Sequence, residues 1–292
     1  ASTPWALMKI PYLLGSATQD TLASVSCPAV NFCMTVGGQG QQESTKPLAE
    51  VWRGKSWSVT PTHNPAPGVF GGSQFLSVSC GLINNCLAVG TTSGNGFAEL
   101  WNGLAWSAPM TISVGSGAVS CVAKNCLVVG TTLNEPGSVA EFWDGHTWTP
   151  STMGTAASTS SLRGVSCVAS DNCLAVGGAT ANNNTSSLTA GQYLSGSTWS
   201  NETPPSPPQY PILAGVSCVD APAVTCMAVG TDGDVPMADT FDAATQTWTA
   251  TQPGSTSTGF PDDFLGVSCP TSSWCVAVGA YNEAVYLGGP PL

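Results

Sequence analysis

A short apolar run that ends in Ser-Cys recurs six times along the chain, and a second, more continuous apolar run follows each copy. The first runs are ASVSC, LSVSC, GAVSC, RGVSC, AGVSC and LGVSC. The second runs are CMTVGG, CLAVGT, CLVVGT, CLAVGG, CMAVGT and CVAVGA. Runs this short, bounded by Gly and Ser, favour β-strands over helices. The near-continuous apolarity of the second runs predicts strands that are buried on both faces.

A third and a fourth strand are predicted in each repeat, after a loop of variable length. The third strand carries one of the aromatic residues Trp52, Trp101, Trp143, Tyr193, Phe241 and Tyr286. The fourth strand carries one of the tryptophans Trp57, Trp106, Trp148, Trp199 and Trp248. We expect these rings to pack sheet against sheet, although an aromatic face also suits a sugar ring. The acids that recur beside them are interpreted as structural partners within the hairpins: Glu50, Glu99, Glu141 and Asp239.

The sixth repeat stops after its third strand, and the other end of the chain carries a match for the missing strand. Residues 3–11, TPWALMKIP, align with KSWSVTPTHNP of the first repeat, which places Trp5 where Trp57 lies. Successive repeats begin 41 to 53 residues apart, a period typical of arrays and propeller blades. The sequence therefore predicts an all-β, six-bladed β-propeller with four antiparallel strands per blade. We expect one domain over residues 1–292, closed by the N-terminal strand; a straight stack of repeats is the alternative.

Twelve cysteines fall into six close pairs, and none is left over. A zinc site with four thiolates would need two pairs to meet, whereas the blades hold successive first hairpins apart. We therefore expect one disulfide across the first hairpin of each blade, and we expect the protein to be secreted or displayed at the cell surface. The pairs are Cys27 and Cys33, Cys80 and Cys86, Cys121 and Cys126, Cys167 and Cys173, Cys218 and Cys226, and Cys269 and Cys275.

The charge of the chain narrows the range of partners. Seventeen acidic and six basic residues give a net charge of −11 and a pI near 4.2. Such an acidic surface repels phosphate backbones, so nucleic acid is excluded as a partner. No apolar run is long enough for a membrane-spanning helix.

Two segments carry a resemblance to known propeller families. Residues 241–248, FDAATQTW, resemble the aromatic-Asp-turn-Trp segment of kelch repeats, and residues 143–148, WDGHTW, are similar to the Asp-box hairpin of bacterial sialidases. The whole pattern is also similar to uncharacterised secreted repeat proteins of actinobacteria, a resemblance that implies no particular activity. Asp-box sialidases bind the substrate carboxylate with three arginines, whereas this chain has only Arg53 and Arg163. Kelch-type copper oxidases need histidine and tyrosine ligands with a modified cysteine, whereas this chain has only His63 and His146 and every cysteine has a partner.

Variable loops lie at one end of the predicted strands, which we call the loop-rich end. It holds the second-to-third loops and the links from one blade to the next, whereas the other turns are short. Binding residues usually lie on such loops. Asp232 and Asp234 have calcium-loop spacing but lack a third acid and a distal Glu, so no metal or cofactor is predicted, with calcium as a weak alternative. The candidate binding residues are Arg163, Asp232, Asp234, Asp262, Asp263, Tyr281, Asn282 and Glu283.

The expected function is a lectin-like recognition module without catalytic activity. It would bind a glycan, another extracellular polymer or a protein partner at the loop-rich end. One alternative is a glycan-active hydrolase or lyase that uses Asp232, Asp262, Asp263 and Glu283. Carboxylates more than about 10 Å apart would remove the geometry of its two-carboxylate mechanism. Another alternative is a structural subunit of an extracellular array or filament.

Overall fold

A computed structural model describes residues 20–40, 44–66, 72–93, 95–132, 137–153, 160–180, 187–220, 223–233, 235–251, 263–279 and 284–287. These residues form 23 β-strands and no helix, so no helix in the described part of the chain is able to cross a membrane. The strands form six antiparallel sheets, five of four strands and one of three. We number them sheet 1 to sheet 6 in chain order.

Each sheet is a meander in which neighbouring strands follow one another in the chain. The strands of sheets 1 and 2 are β1 (Thr21–Ala29), β2 (Phe32–Gln39), β3 (Lys46–Trp52), β4 (Trp57–Val59), β5 (Ser73–Leu82), β6 (Asn85–Thr92), β7 (Asn95–Trp101) and β8 (Met110–Ile112). Those of sheets 3 and 4 are β9 (Ser116–Val122), β10 (Asn125–Thr131), β11 (Ser138–Trp143), β12 (Trp148–Ser151), β13 (Ser160–Ala169), β14 (Asn172–Thr180), β15 (Ser187–Ser195) and β16 (Thr198–Glu202). Those of sheets 5 and 6 are β17 (Pro211–Asp220), β18 (Val224–Asp232), β19 (Val235–Asp242), β20 (Thr247–Thr251), β21 (Phe264–Thr271), β22 (Trp274–Gly279) and β23 (Ala284–Leu287).

All six expected disulfides are confirmed, and each joins the first two strands of its sheet. In four sheets the bonded cysteines are direct cross-strand partners, as Cys80 and Cys86 are. The short Cα–Cα distances, 3.9 to 4.1 Å, reflect this pairing. On the chain-entropy model, closing so small a loop stabilises the fold by about 2 kcal/mol per disulfide.

The second strand of each sheet is apolar on both faces because most sheets have neighbours on both sides. In β6, Cys86 and Ala88 pack into a cluster with sheet 1, whereas Leu87 and Val89 pack into a cluster with sheet 3. Among the described residues, five such clusters lie between successive sheets. The expectation of strands buried on both faces is thus confirmed.

The serine of each Ser-Cys pair connects one sheet to the next. The Oγ of Ser26 accepts a hydrogen bond from the backbone N–H of Cys80 in sheet 2, at 3.0 Å. Four further serines accept in the same way from the cysteine of the following sheet, at 2.9 to 3.0 Å: Ser79, Ser120, Ser166 and Ser217. The dipeptide therefore has two structural roles, since its cysteine staples its own sheet and its serine ties that sheet to the following one.

Aromatic pairs hold the outer hairpins together. The aromatic residue predicted from the sequence is at the wrong position in sheet 4 and in sheet 6. Trp143 and Trp148 are cross-strand partners with ring centroids 5.1 Å apart. The prediction that Tyr193 occupies the position of Trp143 is wrong, because Leu194 is the residue opposite both the cysteine and Trp199. Tyr193 lies one residue earlier and packs on Phe241 of sheet 5, at 5.3 Å. In sheet 6, Leu287 rather than Tyr286 lies opposite the cysteine.

Among the described residues, sheets 1 and 6 each leave one apolar face without a neighbouring sheet. Val25 of β1 is 60% exposed, whereas Val78, the residue at the same position of sheet 2, is 4% exposed. Val278 of β22 is 48% exposed, whereas Val229 at the same position of sheet 5 is 0% exposed. The uncovered face of sheet 1 is the one that packs on the preceding sheet elsewhere, and that of sheet 6 is the one that packs on the following sheet.

We expect Ser166→Ala to lower the free energy of unfolding by about 1 kcal/mol, because the N–H of Cys218 loses its acceptor. Urea denaturation of the oxidised protein measures the change. Ser195→Ala, at an exposed strand position, is the matched control and should change the free energy by no more than about 0.5 kcal/mol. Equal effects of the two substitutions would show that the contact between sheets does not depend on this hydrogen bond.

Candidate functional site

The end of the sheets opposite the loop-rich end consists of short turns whose polar side chains form the turns themselves. Asn102 accepts hydrogen bonds from the backbone N–H groups of Leu104 and Ala105, both at 2.9 Å. Asp144 accepts in the same way from His146 and Thr147, and these hydrogen bonds hold its pKa below the usual value. The aspartates of the kelch-like and Asp-box-like segments thus have a structural role at this end, which directs attention to the other one.

At the loop-rich end, a buried acid on the third strand of one sheet holds the link that arrives from the preceding sheet. The Glu99 carboxylate accepts from the backbone N–H of His63, at 3.3 Å, and lies 3.4 Å from the His63 ring Nδ1. The Glu141 carboxylate accepts from the N–H of Ser113 at 2.9 Å and from its hydroxyl at 2.8 Å. Our interpretation of these acids as partners within their own hairpins is therefore wrong, because their partners lie in the link between two sheets.

The same acid in sheet 5, Asp239, lacks such a donor. Asp239 is 2% exposed, and its Oδ2 has no hydrogen-bond partner among the described residues. Burial raises the pKa of this carboxyl to about 7. Burial also raises the pKa of Glu99, but there the N–H of His63 acts in the opposite direction.

A proline explains the difference between sheet 5 and sheets 2 and 3. The backbone position just before the donor is Thr62 in the first link, Ile112 in the second and Pro204 in the fourth. Each of these residues contacts the third strand of its own sheet. The contact lies three residues before the position that Glu50 holds in sheet 1, Glu99 in sheet 2 and Gln192 in sheet 4. The donor positions are therefore His63, Ser113 and Pro205. Because proline has no backbone N–H, the fourth link has nothing to donate at this point.

Asp239 lines a cleft of about 520 Å³ between the fourth link and the third strand of sheet 5. The link forms one wall with Pro205, Pro207 and Pro208, and Met237 and Ala238 of β19 lie on the opposite side. Volumes of this size are typical of small-ligand sites. The cleft therefore combines apolar walls with one buried carboxyl whose Oδ2 has no donor among the described residues.

Asp232, one of the residues singled out from the sequence, lines the same cleft. It is 7% exposed, and its Oδ1 accepts hydrogen bonds from the backbone N–H groups of Gln209 and Tyr210, at 3.1 and 2.8 Å. Ala228 is the cross-strand partner of Asp239 and lies four residues before Asp232 in β18. Four residues of strand span about 13 Å, so the two carboxyl groups attach to the backbone at well-separated points.

A second cleft, of about 830 Å³, opens at the loop-rich end between the first link and sheet 2. His63 and Asn64 of the first link line it together with Asn95, Phe97 and Met110. The His63 side chain is 52% exposed, and the fully buried Glu99 beside it orients the ring. The sequence analysis did not assign this cleft.

The other predicted site residues are dispersed. Arg163 is the extra residue of a β-bulge in β13 and is exposed. Asp263 precedes β21, and its Oδ1 has no hydrogen-bond partner among the described residues. The part of the chain that the structure describes contains no group of three His, Cys, Asp or Glu side chains that could hold a metal ion. The remaining candidates lie outside the described residues: Asp234, Asp262, Tyr281, Asn282 and Glu283.

Comparison with known proteins shows likeness in fold. No family model matches the sequence, and no curated protein matches it. Among solved structures, the chain is similar to a protein of unknown function from Dyadobacter fermentans DSM 18053, with 12% identity, a TM-score of 0.54 and 92% of both chains covered. It is also similar to Hadza microbial sialidase Hz136, with 12% identity, a TM-score of 0.50 and coverage of 89% of this chain and 63% of the sialidase. At this identity both likenesses concern the fold alone.

We expect Asp239 to make the folded protein less stable as the pH rises from about 4 to about 7. The unfolded carboxyl loses its proton near pH 3.9, whereas the buried one keeps it to about pH 7. The folded state thus binds more protons within this window, and its advantage is lost as the pH rises through the higher value. Urea denaturation across the window should show a decline in wild type that is smaller in Asp239→Asn, where, among the described carboxyl groups, only Glu50 and Glu99 keep a raised pKa. If the free energy of unfolding changed with pH equally in the two proteins, the raised pKa of Asp239 would be wrong.

Proposed function

We propose that this chain is an exported recognition module that binds a glycan or another extracellular polymer at the loop-rich end of its sheets. The observation that carries the proposal is the position of the two clefts. Both open at the loop-rich end, and both are formed where a link from one sheet crosses the next sheet. Polar groups in them are fixed by rigid strands and by hydrogen bonds to the links, an arrangement that favours binding without rearrangement.

Export is supported by the cysteines. All twelve are paired in disulfides, and no free cysteine exists. Disulfides persist in oxidising compartments outside the cytosol. An exported protein with many short stapled hairpins is suited to exposure to extracellular polymers.

The geometry favours binding over cleavage. Two-carboxylate glycosidases hold their carboxyl groups about 5 to 9.5 Å apart. One carboxyl of such a pair must be free to exchange a proton or to attack, whereas Asp232 accepts hydrogen bonds from two backbone N–H groups that hold the link. Arg53 follows β3 at the short-turn end, whereas Arg163 lies near the start of β13 at the loop-rich end. These two arginines are therefore too far apart to bind one carboxylate together, so we do not extend the activity of the sialidase to this chain.

The architecture that we propose is a closed six-bladed propeller in which residues 3–11 supply the fourth strand of the last blade. Closure would bring the uncovered faces of sheets 1 and 6 together and bury Val25 against Val278. It would also supply a link to Glu50, whose Oε2 has no hydrogen-bond partner among the described residues and whose pKa is raised by burial. In sheets 2 and 3 that partner comes from the preceding link, which for sheet 1 is the segment before Asp20.

Ser268→Ala tests closure, because in a ring the Ser268 hydroxyl accepts from the N–H of Cys27. We expect a loss of about 1 kcal/mol in the free energy of unfolding, equal to the loss in Ser166→Ala. The protein should also sediment as a monomer. If Ser268→Ala had no effect, the ring would be open. A stability that rises with protein concentration would instead identify a head-to-tail array of open chains, the structural-subunit alternative.

The binding function is tested on arrays of glycans and by sedimentation with insoluble polysaccharides. Tyr210→Ala and His63→Ala change the loop-rich end beside the two clefts, and at least one should weaken binding by about tenfold, or about 1.4 kcal/mol. Leu104→Ala is the control, since Leu104 is 89% exposed at the short-turn end. Binding that is absent, or that is unaffected by both loop-end substitutions, would contradict the proposal.

A further inference from the structure

We propose that the cleft between the fourth link and sheet 5 is a sugar-binding subsite in which the Asp239 carboxyl takes hydrogen bonds from the hydroxyl groups of a neutral ligand. This inference rests on the proposed function and adds the position of the subsite and the chemistry of its ligand. The ligand donors would take the place of the backbone N–H that Pro205 removes.

The first argument is a comparison within the molecule. Glu99 and Glu141 occupy the position of Asp239 in two other sheets, and both receive a backbone N–H from the arriving link. In sheet 5 the acid remains and is 2% exposed, but the donor is replaced by proline. A buried carboxyl without a donor costs free energy, so an acid kept solely for structure would be poorly placed here. The arrangement fits a carboxyl that is reserved for an external donor.

The second argument concerns the rigidity of the link. The Thr189 hydroxyl donates to the backbone carbonyl of Pro204 at 3.0 Å and lies 2.7 Å from the Ser206 hydroxyl. Asp232 holds the following residues through the N–H groups of Gln209 and Tyr210. The proline wall is therefore fixed on both sides of the cleft before any ligand arrives, which lowers the entropy cost of binding.

The third argument concerns the chemical class of the ligand. Among the described residues, no Lys, Arg or His side chain lines the cleft, so an anion would find no counter-charge there. Asp232, the second acid of the cleft, is already engaged by two backbone N–H groups, and the apolar walls of proline, Met237 and Ala238 make it costly to desolvate an ammonium group beside Asp239 alone. The pKa of about 7 means that the Asp239 carboxyl is largely protonated in mildly acidic solution, where it both donates and accepts. A sugar presents hydroxyl donors on one side and C–H groups on the other, which matches both features.

The decisive variant is Pro205→Ala in the full, oxidised chain, because it returns an N–H to the position held by His63 and Ser113. The Asp239 carboxyl should then titrate at a lower pH than in wild type, since a donated hydrogen bond favours the charged form. Pro61→Ala makes the same substitution in the first link, away from this cleft, and is the control. Asp239→Ala, which removes both carboxyl oxygens, provides a second variant.

The probes are the methyl glycosides of glucose, galactose, mannose and N-acetylglucosamine, with lysine methyl ester as a cationic probe. The readout is the ¹³C resonance of the Asp239 carboxyl. We expect at least one glycoside to shift this resonance in wild type and in Pro61→Ala. Its affinity should fall by about tenfold in Pro205→Ala, and the same glycoside, followed by calorimetry, should bind Asp239→Ala about tenfold more weakly.

Three results would overturn the subsite: no glycoside shifts the resonance, only the amine shifts it, or a glycoside binds Pro205→Ala as tightly as wild type. The proposed function fails separately. If polymers bind wild type and Pro205→Ala equally, recognition at the loop-rich end stands and this subsite is wrong. If no polymer binds but a glycoside titrates Asp239, the subsite stands and polymer recognition is wrong.

Discussion

The structure depends on one constraint, namely that the second strand of every sheet is apolar on both faces and needs a neighbouring sheet on each side. Met34 and Val36 of β2 face sheet 2, just as Leu87 and Val89 of β6 face sheet 3. The serine hydroxyl of the preceding sheet accepts a hydrogen bond from the N–H of Cys80 and from that of Cys121, and these bonds fix how neighbouring sheets align. The first and the last of the described sheets each keep one apolar face that needs a partner. The ring closure that we propose would cover both faces without capping repeats.

The apolar pattern was enough to predict the sheets, the strand order and all six disulfides, because these follow from local periodicity and from the pairing of cysteines. Single positions were harder. Tyr193 was aligned as an aromatic residue with Trp143, although Leu194 holds that place, since the pattern records residue type and not strand register. The role of the serines was also missed, because a hydroxyl that accepts from the next sheet looks in sequence like any small strand residue.

Of the residues that the sequence predicts for binding, Asp232 lines the cleft between the fourth link and sheet 5, where its carboxylate holds the link. Asp239 was interpreted as a structural acid because it recurs at the position of Glu99. Its difference arises in another segment, where Pro205 removes a donor. Pro205 is visible in the sequence. Its effect on Asp239 is not, because the sequence does not show that the acid of one sheet accepts a hydrogen bond from the link that arrives from the preceding sheet.

The most direct test of the covering constraint is amide hydrogen exchange at Cys27 in the oxidised protein. If every sheet is covered on both faces, the Cys27 N–H is bonded to Ser268 and is protected about as strongly as the corresponding amides of Cys80 and Cys121, which open only with the fold. Exchange at Cys27 that is as fast as in an unfolded peptide, while Cys80 and Cys121 stay protected, would contradict the account. It would show that the first sheet ends the structure instead of joining the last.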